Sequence, residues 1–124
     1  MYNQAAAATA YQDTGQKTGD PRELEANLLL QAAAKLNRAK ANGLKSDELD
    51  EALTFNRKLW TIFVGELLDE NHGMPKAVRE NLVNLGIFTF NHTLEIMTDP
   101  ENKSVDSLIN INKNIAEGLR STPA

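Results

Sequence analysis

The stretch that decides the fold is residues 49–67, LDEALTFNRKLWTIFVGEL. Its apolar residues recur every three or four positions, which is the period of an amphipathic helix and not of a strand. The members of this apolar stripe are Leu49, Leu53, Trp60, Phe63, Val64 and Leu67. Asn56 projects into the middle of the stripe, where an apolar side chain is expected. The stretch therefore predicts a helix that buries one face and carries a polar side chain within that face.

Further helices are predicted on both sides of this stretch. Residues 20–23, DPRE, have the sequence of a helix start with a capping box, and Asn42-Gly43 supplies a stop for that first helix. The second helix is predicted from a Ser46 cap to about Glu70, the third from Pro75 to about Thr98 and the fourth from Val105 to Leu119. Since short connections favour antiparallel neighbours, we predict an all-α fold, an antiparallel bundle of four main helices.

The chain is predicted to hold one folded domain. Residues 1–19 are rich in Ala, Thr and Gln and contain Gly15 and Gly19, so we expect an N-terminal arm that is either helical or disordered. Residues 20–120 form the single helical-bundle domain, and residues 121–124 are expected to be a disordered tail. No linker indicates a second domain.

Composition removes several classes of function. The 124 residues include no Cys and two His, so thiolate metal sites, disulfides and Cys nucleophiles are absent. A net charge of −4 argues against direct binding to nucleic acid. No apolar run is long enough for a membrane span, and the first residues do not have the pattern of a signal peptide, so we expect a cytoplasmic protein.

Metal and catalytic chemistry have little support in the sequence. His92 and Glu95 have the spacing of a metal-ligand pair, but a dinuclear carboxylate bundle needs a second such pair and more carboxylates. No Gly-rich phosphate loop is present, and no Ser lies beside a credible base. We therefore expect no enzyme activity, no cofactor and no metal.

Asn is unusually frequent, with thirteen residues of which nine fall in predicted helices. Counting helix levels outward from the connections places Asn56, Thr89 and Asn112 near one level of the bundle. The hypothesis is a buried polar layer formed by these three residues, which would fix helix register if its hydrogen bonds are satisfied. The adjacent layer is predicted to contain Leu28, Trp60, Gly86 and Ala116, with Gly86 leaving room for the indole.

Several apolar residues project away from the predicted core. Phe88 falls among polar residues of the third helix, and Phe55 and Ile62 lie at the flank of the second. Such residues together would suit a helical protein partner. We therefore take Phe55, Ile62 and Phe88 as candidate partner-binding residues, with Arg57 and Lys58 at the rim.

Four segments carry a family resemblance. They are DPRELEANLLL at 20–30, FNRKLWTIF at 55–63, PKAVRENLVNLGIF at 75–88, and LININ at 108–112 followed by IAEGLR at 115–120. In order and spacing they closely resemble FlaF, a family of flagellar biosynthesis proteins of alphaproteobacteria. The resemblance runs from Tyr2 to Arg120, and the departures fall in the connections 37–48 and 98–106.

The resemblance implies a cytoplasmic, non-enzymatic accessory protein needed for flagellin production and export. Proteins of this family work alongside FlbT, which is linked to control of flagellin mRNA translation, and the family supplies no catalytic residues to carry over. One hypothesis is chaperone-like binding of flagellin, whose long amphipathic terminal helices could enter an apolar groove. The alternative is a post-transcriptional regulator that acts mainly through FlbT without binding flagellin directly.

Overall fold

Four helices make up the part of the chain that the structure describes. The structure is a computed structural model, and it describes residues 21–121, within which there are helices and no strand. The helices are α1 (Pro21–Ala41), α2 (Ser46–Leu67), α3 (Lys76–Thr98) and α4 (Asp106–Ser121). The predicted all-α fold of four main helices is confirmed. The predicted arm at 1–19 lies outside the described residues, as does the predicted tail except for Ser121, which is the last residue of α4.

The helix ends follow local sequence with small differences from the prediction. Gly43 and Leu44 adopt positive φ angles of 87° and 58°, and the Leu44 amide donates to the Ala39 carbonyl at 2.8 Å, which ends α1 at the expected place. Ser46 is the first residue of α2 and does not cap it, because the cap position belongs to Lys45. The helix α2 ends at Leu67, three residues before the predicted Glu70.

The contact between α1 and α4 is the most extensive close contact between helices among residues 21–121. Small side chains on α1 let the two backbones approach closely, because Ala26, Ala32 and Ala39 are fully buried. Lys40 Nζ lies 2.7 Å from Asp106 Oδ1 at one end of the pair, and Arg120 lies 3.5 Å from Glu23 at the other. The two ion pairs join opposite ends of α1 and α4, so the two helices run antiparallel.

The Lys40–Asp106 contact also changes the acidity of the carboxyl group. The hydrogen bond from the Lys40 ammonium is the main reason that the pKa of Asp106 lies below its ordinary value, and the Ser104 hydroxyl contributes a smaller effect in the same direction. Ser104 Oγ accepts the Asp106 amide at 3.0 Å, so a serine side chain satisfies the first amide of α4.

The helix α3 is attached differently from the others. Within residues 21–121, the closest helix approaches join α1 to α4, α1 to α2 and α2 to α3. The helices α3 and α4 share a buried apolar cluster that includes Ile96 and Leu108, and a groove lies between the start of α3 and the end of α4. The connection between α2 and α3 is held by Arg79, whose guanidinium donates to the carbonyls of Leu67, Asp69 and Met74 at 3.1–3.2 Å. The fold therefore places α3 at the edge of the bundle with more than one face uncovered.

None of the four described helices combines the length and the apolar character needed to cross a membrane.

Candidate interaction surface

Two of the three residues of the predicted polar layer are joined by a hydrogen bond. Asn56 on α2 and Asn112 on α4 are both fully buried, and Asn112 Nδ2 donates to Asn56 Oδ1 at 2.6 Å. Trp60 Nε1 donates to Asn112 Oδ1 at 2.9 Å. Trp60 can join the pair because it lies one turn after Asn56 on the same face of α2. The three side chains link α2 to α4 through the centre of the bundle.

Thr89, the third residue of the predicted layer, is buried but does not join this chain of hydrogen bonds. Its hydroxyl has no hydrogen-bond partner among residues 21–121, and its carbonyl accepts the Thr93 hydroxyl at 2.7 Å. The Nδ2 group of Asn56 likewise has no partner within that range. The structure thus brings Asn56 and Asn112 together with Trp60, and it leaves Thr89 outside the network.

Gly86 provides the close contact between α3 and α2. A Cβ atom at this position would lie 3.3 Å from Trp60 Cε3 and would collide with Cγ2 of Val64. A residue with a side chain would therefore require Val64 or the α3 backbone to shift. The indole of Trp60 occupies the space that the glycine leaves, in the layer where the sequence places both residues.

The buried and exposed faces of α3 have an unusual distribution of side chains. The buried face consists of Leu82, Gly86, Thr89, Thr93 and Ile96. A second stripe of larger apolar residues, which we call the outer stripe of α3, consists of Ile87, Phe90, Leu94 and Met97. The exposed fractions of Ile87, Leu94 and Met97 are 50%, 58% and 48%. The spacing of i, i+3, i+7 and i+10 places these four side chains along one line of the helix.

A groove runs between this stripe and α2. It has a volume of about 510 Å³ and is lined by Arg57, Thr61, Val64, Gly65 and Leu68 from α2 and its end, and by Phe90 and Leu94 from α3. Leu68 is 64% exposed and also lines a neighbouring cavity of about 370 Å³ toward the α2–α3 connection. We call the first cavity the α2–α3 groove. Its open, apolar shape fits an amphipathic helix better than a small molecule.

The five predicted partner-binding residues do not form one surface. Arg57 lines the α2–α3 groove. Phe55 is only 7% exposed, and Lys35 Nζ of α1 lies 5.1 Å from its ring centroid. The expectation that Phe55 projects outward is therefore wrong, because α1 covers that flank of α2.

The remaining three predicted residues lie away from the groove. Ile62 and Lys58 are half-buried and project from the flank of α2 opposite Arg57. Phe88 is 43% exposed and stacks on the His92 ring at a centroid distance of 5.3 Å. His92 Nε2 lies 2.8 Å from the Ser104 carbonyl, so Phe88 and His92 are on the side of α3 that faces the α3–α4 connection.

Sequence reasoning missed four apolar residues that are about half exposed or more, Leu68, Ile87, Leu94 and Met97. Leu68 and Leu94 line the groove, and Ile87 and Met97 belong to the outer stripe beyond the lining residues. A signal for three of them was present, since the outer stripe has helical spacing in the sequence. The pattern was hard to separate from the buried face, because α3 carries apolar residues around most of its circumference.

Among residues 21–121, no group of three His, Asp or Glu side chains is placed to hold a metal ion. The His92–Glu95 pair has an N–O distance of 3.8 Å, and Glu95 also lies 3.6 Å from Lys103. The fold and the groove define a small helical bundle with an exposed apolar surface along α3 and the end of α2.

The chain belongs to the FlaF family. The family model described as flagellar protein FlaF matches residues 7–119, which is nearly the whole chain. This match confirms the resemblance seen in the sequence and identifies a flagellar protein. No curated protein and no solved structure is significantly similar to the chain.

Proposed function

We propose that this FlaF-family protein is a non-enzymatic, chaperone-like protein that binds flagellin through the α2–α3 groove. The observation that carries the proposal is the outer stripe of α3, where large apolar side chains are exposed while the buried face holds Gly86, Thr89 and Thr93. If these large apolar residues served only to stabilise the fold, we would expect them to be buried. Exposed apolar surface of this kind is typical of protein interaction sites.

The dimensions of the groove suit a helical segment. Residues 87–97 of the outer stripe cover about 15 Å of helix at 1.5 Å per residue, which is close to three turns of a partner helix. Leu68 extends the apolar surface on the α2 side. A partner with apolar residues at i, i+3, i+4 and i+7 could place them between Leu68 and Leu94, in the helix-in-groove mode.

Charged side chains at the rim of the α2–α3 groove would orient a bound helix. Arg57 borders the groove on α2, and Lys76, Arg79 and Glu80 border the cavity that continues from Leu68. Charged groups at the rim of an interface contribute more to association rate and register than to affinity. Acidic residues on the polar side of a bound helix would be favoured near Arg57.

Flagellin is the partner proposed because family membership places the chain in flagellar biology. Flagellin subunits have amphipathic terminal helices that must not polymerise before export, and a groove on a small bundle could cover one of them. The protein would act in the cytoplasm, with no cofactor and no contact with nucleic acid or membrane. The alternative function, regulation through FlbT without flagellin binding, predicts a different result in the following experiment.

The test is co-purification of the full chain with full-length flagellin and with flagellin lacking both terminal helices. We expect capture of the full-length protein and loss of capture when the termini are removed, because a terminal helix is the proposed ligand of the groove. Absence of capture would overturn the proposal, as would capture that is unchanged by removing the termini. Capture of FlbT together with failure to capture flagellin would favour the alternative.

A further inference from the structure

Gly65, in the last turn of α2, has no evident role in the fold that residues 21–121 form. Two other glycines do have one. Gly43 has a positive φ of 87° at the end of α1, and Gly86 lies against Trp60 on α2. Gly65 has neither feature, since its φ is not positive and a Cβ there would meet nothing within 4 Å. Because glycine destabilises a helix relative to alanine, this position lowers stability without a compensating contact among these residues.

The glycine lies in the α2–α3 groove. It lines the groove together with Leu68 and Leu94, whose exposed fractions are 64% and 58%. Gly65 therefore exposes the backbone of α2 within an apolar lining. A glycine allows a second backbone to approach closely, as Gly86 does where α3 packs on α2. The same property at Gly65 is directed toward a ligand in the groove.

We propose that Gly65 is the point at which the bound flagellin helix packs directly on the backbone of α2, and that Arg57 pairs with a carboxylate of that helix about two turns away. The inference rests on the proposed function, because it describes how the same groove recognises its ligand. Gly65 is then a specificity-determining residue. The ligand is an amphipathic helix whose acidic residue lies about two turns from its closest approach to α2.

The side chain of Arg57 supports the second half of the proposal. Arg57 is exposed and lines the groove, and no carboxylate among residues 21–121 forms an ion pair with it. Gly65 follows it by eight residues, which is about 12 Å along the helix at 1.5 Å per residue. A partner helix that lies along α2 and touches Gly65 would therefore place a carboxylate near Arg57 from about seven or eight residues away. The apolar lining and the unpaired cation together select an acidic amphipathic helix.

Direct packing on Gly65 predicts a result that a looser fit does not. If the bound helix lies on the backbone of α2, any side chain at position 65 displaces it, and a larger side chain displaces it further. If the bound helix touches only Leu68 and Leu94, an added apolar side chain would enlarge the apolar surface and leave the affinity unchanged or raise it. The two arrangements therefore predict opposite effects of the same substitution.

The test measures the affinity of full-length flagellin for the natural chain, Gly65→Ala and Gly65→Leu, together with the urea midpoint of unfolding of each. We expect Gly65→Ala to weaken binding by about threefold and Gly65→Leu by at least about tenfold, because the bound helix must move away from α2. Gly65→Ala should raise the urea midpoint, and Gly65→Leu should not lower it, since a Cβ there meets nothing within 4 Å. A loss of binding without a loss of stability separates recognition from folding.

The matched control is Gly118, an exposed glycine of α4 that does not line the α2–α3 groove. A Cβ at Gly118 likewise meets nothing within 4 Å. Gly118→Ala should therefore raise the urea midpoint as Gly65→Ala does, but leave flagellin binding unchanged.

The ion pair is tested by Arg57→Gln against Arg38→Gln, since Arg38 is an exposed arginine of α1 that does not line the groove. Arg57→Gln should slow the association of flagellin by about threefold at low salt and reduce its salt dependence. Arg38→Gln should change neither quantity.

Unchanged or tighter binding by Gly65→Leu would overturn the contact at Gly65, as would an equal loss of binding in Gly118→Ala. An unchanged association rate and salt dependence in Arg57→Gln would overturn the ion pair. In each of these cases the natural chain still binds flagellin, so the proposed function stands. Failure of the natural chain itself to bind flagellin would overturn both proposals.

Discussion

The contact between α1 and α4 differs from the contact between α2 and α3 in the kind of side chain that each one buries. The helix α1 gives Leu28, Ala32 and Leu36 to the core, and all three are at most 2% exposed. The buried face of α3 combines Leu82 and Ile96 with the small or polar residues Gly86, Thr89 and Thr93. The same helix leaves Ile87 and Leu94 half exposed or more. The helix α1 thus buries its large apolar side chains, whereas α3 keeps several of its own at the surface.

The difference indicates which helices contribute most to stability, and it agrees with the proposal that assigns binding to α3. Full burial of a Leu side chain contributes about 1.5–3 kcal/mol, and a Gly or Thr contributes less. A buried hydroxyl without a partner, such as that of Thr89, costs about 1–3 kcal/mol. The helix α3 is therefore held less strongly than α1 and α4. Its exposed apolar area is available to a partner.

The largest effect on stability is expected at the hydrogen-bonded centre. Asn112→Ala removes the acceptor of Trp60 Nε1 and the donor to Asn56 Oδ1. Leaving two buried polar groups unpaired should lower the free energy of unfolding by about 3 kcal/mol. Urea denaturation measures this loss.

The matched control for this prediction is Asn110→Ala, since Asn110 is an exposed residue of the same helix. It should change the free energy of unfolding by no more than about 0.5 kcal/mol. Equal effects of the two substitutions would mean that the buried network adds little to stability.

A smaller loss of stability is expected for a substitution at the contact between α3 and α2. Gly86→Ala introduces a methyl group against Val64 and Trp60. Overpacking typically lowers the free energy of unfolding by about 1–3 kcal/mol. Replacing a helical glycine with alanine raises it by up to about 1 kcal/mol, so we expect a net loss of about 1 kcal/mol.

Gly65→Ala is the control for that contact, because a Cβ there meets nothing within 4 Å. It should raise the free energy of unfolding by about 0.5–1 kcal/mol. A stabilising effect of Gly86→Ala as large as that of Gly65→Ala would show that α3 does not need close approach to α2.

The fold could be predicted from the sequence more fully than the interaction surface. Helical spacing and the stop at Asn42-Gly43 gave α1 its observed C-terminal end, and the position of Asn56 in an apolar stripe indicated a buried amide. The partner of the Trp60 indole could not be predicted, because helix levels counted from connections are uncertain by about one turn. Asn112 was placed near the level of Asn56, and in the structure it also bonds to Trp60, one turn further along α2.

The interaction surface was harder to predict from the sequence, because the exposure of a side chain depends on which helices pack beside its own. Phe55 and Ile87 are both apolar residues off the centre of a stripe, yet α1 covers Phe55 and no helix among residues 21–121 covers Ile87. Periodicity locates the face of a side chain on its own helix. It does not show which side of the bundle is left open.

The measurement that most directly tests the binding role of the outer stripe is the affinity of flagellin for Leu94→Asp compared with Phe88→Asp. Both replace an exposed apolar residue of α3 with a charge, and both should leave the free energy of unfolding nearly unchanged. Leu94 lines the α2–α3 groove, while Phe88 lies beside His92 on the other side of the helix. We predict that Leu94→Asp weakens binding by at least about tenfold and that Phe88→Asp does not, since a charge in the centre of an apolar contact is costly. Equal affinity of both variants and the natural chain, or a loss confined to Phe88→Asp, would contradict the assignment of the groove.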